Sequence, residues 1–113
     1  MKIVTWNIGG IKNFKAAINT MVHGDMAVGM IQEHNIREGD ARIHAYKQYA
    51  YNQGYRVIWA FSKQSNGGCA TIIRLSLDYN TVAKHSETRF SFVWVALPEL
   101  DLSVGNNYIS PTN

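Results

Sequence analysis

The sequence predicts an α/β fold built on a mixed β-sheet, on three observations. In the first half of the chain, short apolar and β-branched runs alternate with two segments of helical period. In the second half, strand-like runs follow one another with no helical period between them. Apolar residues make up 46% of the 113 residues and charged ones only 17%. That is below the roughly 25% charged residues of an average domain, and it excludes a disordered chain.

The elements follow in order. Residues 2–8 are β-branched and aromatic and predict a first strand, ended by Gly9 and Gly10. Asn13 is placed to cap a helix whose apolar side is Phe14, Ala17, Ile18, Met21 and Val22, with Gly24 closing it. Residues 26–32 are apolar on both faces, as a buried central strand requires. After a polar stretch, Asp40 can cap a second helix with Ile43, Tyr46 and Ala50 on one side and Gly54 just past its end. Residues 56–61 and 69–75 form a strand pair around the Ser-Asn-Gly-Gly turn at 65–68. Residues 88–97 predict a long strand with Phe90, Phe92 and Trp94 on one face, and residues 101–109 the last strand. The expected order is therefore β-α-β-α and then four strands, in one unit spanning 1–113.

Charge and cysteine content narrow the function classes. Eleven Lys and Arg against eight Asp and Glu give +3, scattered without a basic run. A polyanionic partner is permitted without being required. The single Cys69 excludes an intramolecular disulfide and a Cys-based zinc site. The N-terminal residues carry no long apolar segment of the signal-peptide kind. No apolar stretch approaches the roughly 20 residues that span a bilayer. The expectation is an intracellular protein, cytoplasmic or nuclear, with no membrane partner.

In α/β sheets, ligands gather at the carboxyl ends of the strands. Those ends carry Asn7, then Gln32-Glu33-His34-Asn35, then Asn106-Asn107-Tyr108. Glu33 directly follows a buried apolar strand, where an unpaired carboxylate is costly. Two readings stay open: a carboxylate that pairs or caps at the strand end, or one that holds Mg²⁺ with several waters. Asn7 would sit beside it on a neighbouring strand.

Four stretches together resemble the endonuclease/exonuclease/phosphatase superfamily, typified by exonuclease III and deoxyribonuclease I. Lys2-Ile3-Val4-Thr5-Trp6-Asn7-Ile8-Gly9-Gly10-Ile11 resembles its opening strand, and Met30-Ile31-Gln32-Glu33 its second motif. Asn66-Gly67-Gly68-Cys69-Ala70-Thr71-Ile72-Ile73 resembles its glycine turn entering an apolar strand. Asn106-Asn107-Tyr108-Ile109-Ser110-Pro111-Thr112-Asn113 resembles its Asn-x-Tyr-Ala-Pro-Asn/Thr motif, with one extra residue before Pro111. The Gln-Glu-His-Asn form of the second motif is similar to endonuclease domains of non-LTR retrotransposons.

The resemblance implies half of a four-layered α/β sandwich, a mixed sheet with two helices on one face. It implies that Glu33 binds Mg²⁺ (or Mn²⁺), that Asn7 helps to hold the metal and phosphate, and that Tyr108 stands near the scissile phosphate. Asn106 would support the strand end. The implied chemistry is hydrolysis of a phosphodiester, with DNA as the partner, by metal-assisted in-line attack of water. The family's Asp-x-Asn and Ser-Asp-His motifs follow its Tyr-Pro motif, and the expectation is that this chain contains no Asp-x-Asn. These residues then match the N-terminal half of such a domain, weak or inactive alone. A rival of another class is a non-catalytic half-domain. It would bind nucleic acid or protein, join a missing C-terminal half, or self-associate as a homo-oligomer through the open sheet face of Phe90, Phe92 and Trp94.

Other candidates carry less. His34, Glu38 and His44 match no tight metal spacing and read as exposed polar residues. Gly9-Gly10 lacks the remainder of a nucleotide-binding motif. Ser110 lacks the context of a nucleophile. Cys69, Trp6, Trp59 and Trp94 read as core. Arg37, Arg42 and Lys47 could follow a nucleic-acid backbone or simply form a solvated face.

Overall fold

A computed structural model describes residues 2–61, 63, 67–87 and 90–109. Positions 65 and 66 of the expected turn, the start of the 88–97 strand and residues 110–113 of the last motif lie outside the described residues.

The first strand, β1 (Ile3–Asn7), runs parallel to β2 (Val28–Gln32). Between them lies α1 (Phe14–His23), which buries Phe14, Ala17, Ile18 and Met21 at spacings of three and four. Asn13 stands at its N-cap position without a side-chain cap; its amide Nδ2 donates instead to Ile8 O at 2.6 Å and ties the loop to the strand end. The second helix, α2 (Ile43–Asn52), is followed by Gly54 at φ 94°, the left-handed position that ends it. Asp40 holds the turn ahead of α2 by accepting the Arg42 backbone N–H at 2.8 Å. The Arg42 guanidinium beside Asp40 holds that carboxyl at about 2.

The edge strand β3 (Tyr55–Ala60) and β4 (Cys69–Arg74) pair antiparallel, and β4 pairs antiparallel with β2. The order across this four-stranded sheet is β1-β2-β4-β3, with β1, β2 and β3 all pointing one way and β4 against them. The mixed sheet expected from the sequence is thus present, with both helices on one face.

The remaining strands form a second sheet rather than extending the first. β5 (Asn80–Ser86), β6 (Phe90–Leu97) and β7 (Leu102–Ile109) make an antiparallel meander. β5 is absent from the sequence reading. It is a polar edge strand with Lys84 and a register shift between Thr81 and Ala83, so no apolar alternation announces it.

Two cores result. One lies between the helices and the four-stranded sheet, where Phe14 stacks on Trp59 (centroids 5.6 Å apart) and meets Tyr46 edge-on. The other lies between the sheets, joining Val28, Ile58 and Ile73 to Val93, Val95, Leu97 and Val104. Gly29 marks the closest helix approach: a Cβ there would meet Met21 Sδ at 2.5 Å. The layers are helices, sheet and sheet, an α/β arrangement consistent with half of a four-layered sandwich. Because Val93, Val95 and Leu97 face inward, period-two alternation turns Phe90, Phe92 and Trp94 outward. Trp94 is 48% exposed, so it is not core as the sequence suggested.

Candidate functional site

The register of the four-stranded sheet brings one polar end together. Asn7 pairs with Gln32, Gln32 with Cys69, and Cys69 with Ala60. Glu33 lies one residue past this row.

Along β2, Ile31 faces the helices and Gln32 faces the second sheet. Strict alternation would drive Glu33 into the helix-side core. Instead Glu33 takes φ +59° and Asn35 φ +62°, both left-handed. Such backbone costs a non-glycine residue about 1–2 kcal/mol and is held only where surroundings over-determine it. Here the Gly67–Gly68 segment does so. Glu33 N–H donates to Gly68 O (2.8 Å), Asn35 N–H to Gly67 O (2.9 Å), and Gly67 N–H to Asn35 Oδ1 (2.8 Å). The re-aimed carboxylate meets β7: Tyr108 Oη donates to Glu33 Oε1 at 2.7 Å. The Tyr108 ring packs on the inter-sheet core, which fixes the reach of its hydroxyl.

Asn106, two residues earlier on the same face of β7, is 3% exposed and bolts the sheets together. Its Nδ2 lies 2.9 Å from Ala70 O and 3.2 Å from Ile31 O, while its Oδ1 accepts from Gln32 Nε2 at 2.9 Å. Gln32 Nε2 also reaches Thr5 Oγ1 at 3.1 Å, linking β1 to the network. Glu33 directly follows Gln32, and Tyr108 stands two residues past Asn106 on the same face of β7, so the clamp sets their meeting. Cys69 lies beneath it, its thiol pushed up to about 11 by burial.

Asn7, on the adjoining strand, is exposed and its Oδ1 accepts the Gly9 N–H at 3.0 Å. That bond orients the amide and leaves its Nδ2 and a second oxygen lone pair for a ligand. The structure therefore joins Glu33 to Tyr108 directly, and Asn7 ends the adjoining strand opposite Gln32, one register row back.

His34 corrects the sequence reading. It is fully buried, edge-on to Trp59 and Phe61. Its Nδ1 accepts the Ile36 N–H at 3.0 Å, which puts the ring proton on Nε2, donating to Ala60 O at 3.0 Å. Burial lowers its pKa and keeps it neutral. It anchors the loop below Glu33, far from the role of an exposed polar residue. Gly68 leaves room for it: a Cβ there would clash with His34 Cε1. Nothing in the local sequence separates such a ring from an exposed one; the signal was the paired glycine. Gln32 was also missed, its polar face hidden within an apolar run.

Among the described residues, no group of three or more His, Cys, Asp or Glu converges as a metal cage. Glu38 and His44 are exposed and form no site with His34. The sequence does contain one Asp-x-Asn triplet, Asp78-Tyr79-Asn80, contrary to expectation. It follows the end of β4 that pairs with the start of β2, so it lies at the opposite end of the sheet from Glu33. It does not replace the family motif.

No family model matches the chain, and no curated protein matches it. Solved structures do. The AP endonuclease of Leishmania major superposes with a TM-score of 0.65 at 16% identity, covering 98% of this chain and 40% of the other. The AP endonuclease of Archaeoglobus fulgidus gives 0.61 at 18%, covering 96% and 41%. The 3′ phosphatase NExo from Neisseria, bound to product DNA hairpin, gives 0.61 at 16%, covering 93% and 40%. This chain has the endonuclease/exonuclease/phosphatase fold. Within that fold, it spans about two-fifths of the length of the structures it matches. At these identities the likeness establishes the fold. No helix among the described residues is long and apolar enough to cross a membrane.

Proposed function

We propose that residues 1–113 form the N-terminal half of a divalent-metal-dependent phosphodiesterase domain that acts on the DNA backbone. The observation that carries it is the left-handed Glu33 with its carboxylate held by Tyr108 at the strand ends. Three solved neighbours support the substrate class, two being AP endonucleases and one a 3′ phosphatase with product DNA.

The residues present fit Mg²⁺ or Mn²⁺ in one form only. Mg²⁺ is commonly held by one or two carboxylates and several waters. Glu33 supplies one half-buried carboxylate, and Tyr108 engages one of its oxygens. A closed zinc-type cage does not fit, since no third ligand converges among the described residues. Glu33 would hold the ion, with Asn7 Oδ1 beside it. The ion would polarise the phosphoryl oxygens and lower the pKa of a bound water.

The chain's own residues set the geometry. Tyr108 fixes the Glu33 rotamer by donating its single hydroxyl proton to Oε1, which leaves Oε2 for the ion. Asn7 Nδ2 would supply a donor where charge builds on a phosphate oxygen. Gln32 and Asn106 are positioning residues, acting through Glu33 and Tyr108.

The test is a nicking assay on supercoiled plasmid with Mg²⁺, comparing the chain with Glu33→Ala. Nicking by the wild type and none by the variant is expected. Equal cleavage by both, or none by either, would sink catalysis by this chain. A second reading, a non-catalytic half-domain that associates, is favoured by the outward Phe90, Phe92 and Trp94 around a hollow of about 280 Å³. Size-exclusion mass tests it, and a clean monomer counts against it.

A further inference from the structure

A hollow lies away from Glu33, at the other end of the four-stranded sheet, between α2 and the edge strand β3, with a volume of about 410 Å³. That is within the roughly 300–1,000 Å³ of small-molecule sites. Its helix wall is His44, Lys47, Gln48 and Tyr51, at spacings of three, one and three, which is one face of a helix. Ile43, Tyr46 and Ala50 occupy the opposite face and pack on the core, so the wall is free of that duty. The far wall is Arg56 and Tyr79, with the Arg56 guanidinium 5.3 Å from the centre of the Tyr79 ring.

The chemistry of the lining is one-sided. Lys47, Arg56 and His44 line the hollow, and no carboxylate does. Neither Lys47 nor Arg56 forms a salt bridge among the described residues. Unneutralised cations at a concave surface attract anions. Tyr51, 59% exposed, adds an aromatic face on which a flat ring can stack, and the half-buried Tyr79, under Arg56, adds a second ring. Cations beside exposed aromatic rings are the recurring recipe for single-stranded nucleic acid.

We propose that this groove binds a nucleoside phosphate unit, with the phosphate on Lys47 and Arg56 and the base against Tyr51 or Tyr79. Register places it apart from the Glu33 end: Tyr55 and Arg56 pair with Arg74 and Ile73, whereas Glu33 follows the Gln32–Cys69 row. The proposal therefore stands without the phosphodiesterase reading. A free nucleotide and a strand both carry this unit and share this chemistry.

The test is an amide chemical-shift titration of the ¹⁵N-labelled full chain with dTMP, with (dT)10 and with sodium phosphate. Shifts centred on α2, Arg56 and Tyr79 are expected. Saturation by dTMP identifies a free nucleotide as the source; response to (dT)10 alone identifies a strand. Lys47→Glu with Arg56→Glu should weaken binding about tenfold or more, and Tyr79→Leu about fivefold. Glu33→Gln should leave it unchanged, so failure of the catalytic proposal does not touch this one. Absence of shifts in the groove, equal shifts with phosphate alone, or unchanged affinity in both well-folded groove variants would overturn it.

Discussion

The two ends of the four-stranded sheet are built on opposite plans. At the Glu33 end, groups are interlocked: Gln32, Asn106, His34 and the Gly67–Gly68 segment hold a left-handed carboxylate in place through buried hydrogen bonds. At the Arg56 end, exposed Lys47, Arg56 and Tyr51 and the half-buried Tyr79 line an open groove, where Arg56 lies over the Tyr79 ring. The first plan suits placing one atom against another, where small misplacements cost a reaction dearly. The second suits capture of a flexible ligand by charge and stacking. The same chain thus spends fold stability at one end and almost none at the other.

Substitutions should separate the two ends by stability alone. Asn106→Ala removes a buried amide that satisfies Gln32 Nε2, Ala70 O and Ile31 O. Loss of about 3 kcal/mol is expected in urea unfolding, since stranded buried polar groups cost about 1–3 kcal/mol each. A loss below about 1 kcal/mol would show that the clamp is not what joins the sheets. Gly68→Ala comes next. Its φ of +80° and the nearby His34 ring should make the change cost about 2 kcal/mol or more, read by the same unfolding curves.

The pH dependence of stability sharpens the contrast. Burial depresses the His34 pKa below its ordinary 6.5, so the unfolded chain takes up a proton more readily than the folded one. The His34 contribution is therefore fully present above pH 6.5 and is lost as pH falls below it. Unfolding free energy should be lower at pH 5.5 than at pH 7.5, while the His34 Cε1 proton signal stays at its neutral position through pH 6.5. A His34 signal that titrates at 6.5 would contradict the buried, neutral ring. The smallest effect belongs to the groove. Lys47→Glu and Arg56→Glu should each change stability by no more than about 0.5 kcal/mol, and larger losses would mean that this end is structural after all.

What was legible in the sequence follows the same division. Helices and central strands could be read because their apolar residues repeat at 3.6 and at 2, as with Phe14, Ala17, Ile18 and Met21 on α1. The edge strand β5 could not, because an exposed strand has little apolar pattern to display. The outward Trp94 could not, because its face depends on which side of β6 the second sheet uses. At the site, Asn7, Glu33 and Tyr108 stood at strand ends and resembled family motifs. His34 and Gln32 act through contacts made by Ala60 and Asn106, 26 and 74 residues away, which no local spacing reveals.

The central claim is that Glu33, steadied by Tyr108, is a divalent-metal carboxylate. Paramagnetic broadening by Mn²⁺ in amide spectra of the full chain tests it most directly, and needs no turnover. Broadening centred on Glu33, Asn7 and Tyr108 that disappears in Glu33→Gln is the predicted result. Broadening elsewhere, or broadening that persists in Glu33→Gln, would contradict it.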